Sequence, residues 1–136
     1  MSAALELRKA VYSRLAQDTA LSNLLGGAKV FDEVPPSAGA PFIVLADIES
    51  RLAGALPEEG EEHRLAVNLW SDAGGLAEAL GAAAQVAHDL DGADLALEGY
   101  RLANLRWLAT DARRAPDGRH RVAILRFRAL TEPLTT

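Results

Sequence analysis

Four groups of residues in this 136-residue chain carry side chains that could do chemistry. The first is three histidines, His63, His88 and His120, candidates for metal binding or proton transfer. Zinc requires ligand pairs at close spacing or a clustered His/Cys set, whereas these histidines fall in different predicted elements and the chain has no cysteine. They read as three partly exposed side chains with no shared role. The second group is Asp89, Asp91 and Asp94 around Gly92. It resembles a calcium loop only superficially, because the glycine position and the missing distal glutamate do not match, and a helix end followed by a turn explains it.

The third group is the acidic run Glu58, Glu59, Glu61 and Glu62. General acid–base chemistry needs burial to tune carboxyl pKa values; a run beside Pro57 and Gly60 is solvated. The fourth is a set of arginines, Arg101, Arg106, Arg113, Arg114, Arg119, Arg121, Arg126 and Arg128, on the last hairpin or its turn. They suit either an acidic surface of a neighbouring molecule or a solvated sheet face with partners in the same subunit. Nucleic acid is a third option, with only Trp107 and Phe127 as interleaved aromatics. Gly26-Gly27 and Gly74-Gly75 lack the Lys-Ser/Thr of a phosphate loop, and no G-x-S-x-G elbow occurs. No catalytic, cofactor-binding or metal residue is assigned, and the chain reads as not an enzyme.

The elements that carry these residues follow from spacing. Ala4, Leu7, Val11 and Leu15 predict an amphipathic helix with Ser2 as its N-cap. Asp18 caps a second, short helix that turns Leu21, Leu24 and Leu25 inward and stops at Gly26-Gly27. A short strand around Val30 and Phe31 leads to the proline-rich loop "VPPSAGAP". "FIVLADIESRLA" predicts a strand from Phe42 to about Ala53, and "GALPEEGEE" the exposed tip of a long protruding hairpin. In "HRLAVNLW", Leu65, Val67 and Leu69 face the core and Arg64, Ala66, Asn68 and Trp70 face away. Ser71 or Asp72 caps an Ala-rich helix whose buried stripe is Leu76, Ala79, Leu80, Ala83, Val86, Ala87 and Leu90. A strand over about Tyr100 to Ala112 turns at Asp117-Gly118, a type I′ signal, into a strand closed by Pro133. The fold class is α+β: an antiparallel sheet with helices on one face, in the order α-α-β-β-β-α-β-β.

Composition bounds the function. At 49% hydrophobic and 24% charged residues the chain is ordinary globular material, and its size is that of one domain. A net charge of −5 is not that of a protein whose main task is gripping nucleic acid. No signal peptide or membrane span is visible, which predicts a soluble protein made in the cytoplasm.

The ordered segments then carry a family resemblance. "YSRLAQDTALSNLLGGAKVFDEVPPSAGAPFIVL", with Asp18 to Leu21, the glycine pair, Val34-Pro35 and Pro41-Phe42, is similar to the opening of the tail-terminator (tail-completion) proteins of long-tailed bacteriophages and gene transfer agents. "EHRLAVNLWSDAGG", ending its strand in Trp70-Ser71, and the closing DG hairpin with "VAILRFRAL" match the rest. The resemblance covers residues 1–136 as a single tail-terminator-like domain. It implies a structural ring, a hexamer, that caps the tail tube, ends its polymerisation and joins the tail to the head connector. The alternative is another head–tail adaptor or neck protein of the same particle class. Implied partners are copies of itself, the tail tube protein and the head-side connector, with DNA passing through the lumen without specific binding and no membrane. Assembly is implied in the bacterial cytoplasm, ending in the virion or phage-like particle. Six copies at −5 each would carry about −30, and a lumen of that sign would repel DNA and let it slide; the sequence does not say which residues line it. A ring closes through two unlike surfaces; Glu58, Glu59, Glu61 and Glu62 on one hairpin and Arg113, Arg114, Arg126 and Arg128 on the other are the candidates.

Overall fold

The structure, a computed structural model, describes residues 2–134. Helix α1 (Ala3–Ala16) buries Ala3, Leu7, Val11 and Leu15, and the Ser2 hydroxyl accepts from the Leu5 amide at 3.1 Å. Helix α2 (Thr19–Leu25) starts on Asp18, whose carboxylate accepts from the Ala20 amide, and ends at Gly26 in the left-handed conformation. Leu21 and Leu25 are buried, but Leu24 is exposed, against expectation. At about 100° per residue Leu24 stands a quarter-turn away from Leu25, too far round to share its face.

The strands are β1 (Val30–Phe31), β2 (Phe42–Leu52), β3 (Glu61–Ser71), β4 (Ala96–Leu97), β5 (Tyr100–Arg114) and β6 (Arg121–Pro133), with α3 (Ala77–Leu90) between β3 and β4. They form one sheet in the order β1-β2-β3-β6-β5-β4. The class is α+β as expected, with two differences. Strand β1 pairs parallel to β2, because the proline-rich loop carries the chain back to the same end before β2 begins. Strand β4 lies in a stretch that reads as a turn; two residues are too few to show a period.

The helices cover one face. Leu125, Phe127 and Ala129 of β6, Val67 and Leu69 of β3, Ile43 of β2 and Leu105 of β5 are fully buried beneath them. From α3 the buried side chains are Ala79, Ala82, Ala83, Val86, Asp89 and Leu90. Leu76 and Leu80, expected in this stripe, are exposed. The alanine face wins because small side chains let the helix lie close to the sheet. The α3 cap also differs: the helix starts after Leu76, and Ser71 instead donates to Glu78 at 2.6 Å and accepts from the Ala73 amide.

The two hairpin tips lie at opposite ends of the sheet. The β2–β3 tip carries a short 3₁₀ turn, Pro57–Glu59, and meets the far end of β6: Gly60, at φ 97°, sits so close to Thr131 that a Cβ there would fall 2.1 Å from its carbonyl oxygen. The β5–β6 tip lies beside the end of β3, where His120 packs edge-on against Trp70 and Arg121 donates to the Gly74 carbonyl. This tip is not a type I′ turn, which needs positive φ at both central residues. Gly118 alone has it; the Gly118 amide donates to the Ala115 carbonyl at 2.9 Å, with Pro116 and Asp117 between them.

Candidate assembly surface

The sheet's second face carries no helix. By alternation it presents Glu62, Arg64, Ala66, Asn68 and Trp70 of β3 and Arg126 and Arg128 of β6. Register places Arg64, Arg128 and Arg106 side by side on three adjacent strands, with Glu49 of β2 at the end of the row. Like charges at this spacing repel. Glu62 relieves them by accepting from Arg64 at 3.0 Å and Arg128 at 3.1 Å, and the Arg64 bond is the largest cause of its lowered pKa. Arg126 borders a groove of about 250 Å³ with Asp47, Glu49, Arg64 and Leu108.

The predicted site residues thus separate into three places. Glu62 and Arg128 meet within one subunit. Glu58 is exposed at the β2–β3 tip, where Glu59 accepts from the Leu56 amide, and Glu61 opens β3. Arg113 and Arg114 stand at the other end, Arg113 paired to Asp111 at 2.8 Å. Ten residues of β3 separate the two ends, roughly 33 Å at the usual strand rise. The tip acids and tip arginines therefore cannot neutralise each other inside one copy.

The histidines do not behave as one class. His63, expected partly exposed, is fully buried, with Nδ1 2.6 Å from the Ser50 hydroxyl and Nε2 2.8 Å from that of Thr131. Burial lowers its pKa, so it is neutral and ties β2, β3 and β6 together. Its place in the alternation with Leu65, Val67 and Leu69 signals this. His120 is half-buried and its Nδ1 lies 2.6 Å from Asp117. Asp117 also accepts from the Arg119 and His120 amides, and the His120 amide bond is the largest cause of a pKa near 2. His88 is exposed.

One buried acidic contact was not legible in the sequence. Asp18, besides capping α2, lies beside Asp89 of α3, and Gln85 donates to both carboxyl groups, at 2.8 and 3.3 Å. Burial first, and Asp18 second, push Asp89 up to about 6, while hydrogen bonding from Asp89 is the largest cause of the lowered Asp18 pKa. Below a pH near 6 Asp89 carries a proton beside the Asp18 carboxylate, and Arg14 donates to the Asp89 carbonyl at 3.1 Å. Among the described residues no group of three or more His, Cys, Asp or Glu side chains could hold a metal ion, and no helix is long and apolar enough to cross a membrane.

The molecule is a small α+β domain whose solvent-facing features are sheet edges, hairpin ends and a charged face. The chain belongs to the tail completion protein gp17 family, which is matched over residues 9–132. It is also similar to a chain in the virion of a native gene transfer agent particle, at 36% identity and a TM-score of 0.89, over 96% of this chain and 98% of that one. Among curated proteins none matches.

Proposed function

We propose that this protein is a structural ring component of a phage or gene transfer agent tail. Identical copies close head to tail, cap the tail tube, end its polymerisation and offer the opposite rim to the head-side connector. DNA passes through the lumen without base-specific contact. The observation that carries the reading is the full-length likeness to a chain of a gene transfer agent virion, in a family defined by tail completion. The separation of Glu58 and Glu59 from Arg113 and Arg114 supports it, because a ring interface joins unlike surfaces of neighbouring copies. The test is twofold. Purified full-length chain at high concentration should scatter light as a hexamer of about 86 kDa, six times 14.4 kDa. Particles from a strain lacking the gene should show overlong or headless tails in electron micrographs. Persistent monomer together with normal tails would overturn the proposal.

A further inference from the structure

Both edges of the sheet are half blocked, at opposite ends. On the β2 side, β1 covers only Ile43 and Val44, and Arg8 then donates to the carbonyls of Leu45 and Ala46 at 2.5 and 2.7 Å. A bulge follows, and from Asp47 to Leu52 the edge has no strand partner among the described residues. On the β5 side, β4 covers only Tyr100 and Arg101. The Gly92 amide then donates to the Leu105 carbonyl at 2.7 Å and the Trp107 amide to Asp91 at 2.9 Å. A bulge follows here too, and from Leu108 to Arg114 the edge has no strand partner among the described residues. Unpaired strand edges are templates for another strand.

We infer that these two edges pair with each other between neighbouring copies, β2 of one against β5 of the next, as one antiparallel ladder. The inference rests on the ring reading and says how that ring is joined. Three observations carry it. First, polarity: β2 and β5 run in opposite directions through the alternating sheet, so a copy set alongside in the same orientation offers an antiparallel strand. Second, register. Ile43 donates outward to Lys29, and alternation past the bulge points the backbone groups of Ile48, Ser50 and Leu52 outward. From the outward-facing Trp107 the same alternation selects Thr110, Ala112 and Arg114. Facing Ser50 with Ala112 brings all six into hydrogen-bonded positions.

Third, charge. Each free edge carries an acid-x-Arg pair on the face away from the helices: Glu49 with Arg51 at 2.5 Å, and Asp111 with Arg113 at 2.8 Å. In the register above, Glu49 faces Arg113 and Arg51 faces Asp111, in the close non-hydrogen-bonded positions. The two charges paired along each strand become paired across the junction as well.

The stagger fits closure. Glu49 is level with Arg128 of β6, and Arg113 with Val122, six residues away. That is about 20 Å along the strand against about 19 Å across four strands, a tilt of about 45°. Closed sheets use about 35–45°. Six copies give a closed sheet about 50 Å across from this tilt and the strand spacing.

The chain has no cysteine, so two introduced thiols are the only ones present. In the double variant Glu49→Cys with Arg113→Cys, mild oxidation of the assembled protein should give a reducible ladder of linked chains up to the full ring. Either single variant, and the off-register pair Arg51→Cys with Arg113→Cys, should stay unlinked. Hydrogen exchange on the unmodified chain supplies the second measurement: assembly should slow the amides of Ile48, Ser50, Leu52, Thr110, Ala112 and Arg114 at least tenfold. Assembled rings with no links and no slowed amides would overturn the edge pairing and leave the ring reading standing. A chain that stays monomeric, together with normal tails in a strain lacking the gene, would overturn both.

Discussion

The two long hairpins are built to one plan and finished differently. Each has a bulge along its outer strand (β5 has a second, between Leu102 and Asn104), hydrogen bonds that cap the edge up to the bulge, and an acid-x-Arg pair beyond it. The β2–β3 hairpin folds its tip onto its own sheet: Gly60 is buried against Thr131, and His63 bridges Ser50 and Thr131. The β5–β6 hairpin ends in a turn held by Asp117 and by backbone bonds across Ala115, Gly118 and His120, with His120 edge-on to Trp70 and with exposed Trp107 and Leu108 along its edge. One hairpin tip is anchored by buried polar contacts, the other by a surface carboxylate and part-exposed contacts to the end of β3. The acidic end is fixed by buried contacts and the basic end by solvent-facing ones, so the two respond to different perturbations.

Substitutions can break that contrast, beginning with the residue both hairpins share. Phe127 lies fully buried at the centre of β6, between β3 and β5. Phe127→Ala should cost about 3–5 kcal/mol in chemical denaturation and loosen both hairpins together. His63→Leu should cost about 2 kcal/mol, because the buried Thr131 hydroxyl loses its partner. Its hydrogen-exchange signature should be confined to β2, β3 and the end of β6.

The two turn glycines sharpen the comparison. Gly60→Ala forces a Cβ onto the Thr131 carbonyl in a conformation other residues avoid, and should cost about 1–3 kcal/mol. Gly118→Ala meets open space at φ 71° and should cost only about 1 kcal/mol. Equal losses would show that the β2–β3 tip is not anchored as described.

The smallest effect concerns acid. Asp89 is protonated in the folded chain up to a pH near 6, whereas the unfolded value is 3.8. Between those values the native state binds more protons, so this group's contribution falls as pH rises from about 4 to 6. Asp89→Asn keeps the neutral form and should raise Tm at pH 7 while flattening its dependence between pH 4 and 7. Thermal melts across that range read this directly; an unchanged slope would remove Asp89 from the account.

Much of the fold was legible because periodicity is strong where burial is one-sided. Leu7, Val11 and Leu15 read as a helix stripe, and Leu65, Val67 and Leu69 as a strand face. Where apolar residues were dense the stripe was ambiguous: in α3, alanines rather than Leu76 and Leu80 face the sheet. Pro116 could have warned against a type I′ turn, since its ring fixes a negative φ at a central position. The charged hairpin residues were visible as composition, but their placement was not. That placement depends on strand order, which seats β6 between β3 and β5 and brings Glu62 to Arg128 while sending Arg113 to the far end. The repeated acid-x-Arg pattern, Glu49 to Arg51 and Asp111 to Arg113, was also in the sequence, without meaning until both strands proved to be edges.

Strands β1 and β4, two residues each, act as end stops. A sheet bare along its whole border invites indiscriminate stacking, sliding registers and fibrous aggregates. Here each border is exposed for only about half its length, at diagonally opposite corners, and a newcomer in the wrong alignment collides with a stop. On the proposed edge pairing, these stops leave a short window that suits a strand offset along the sheet.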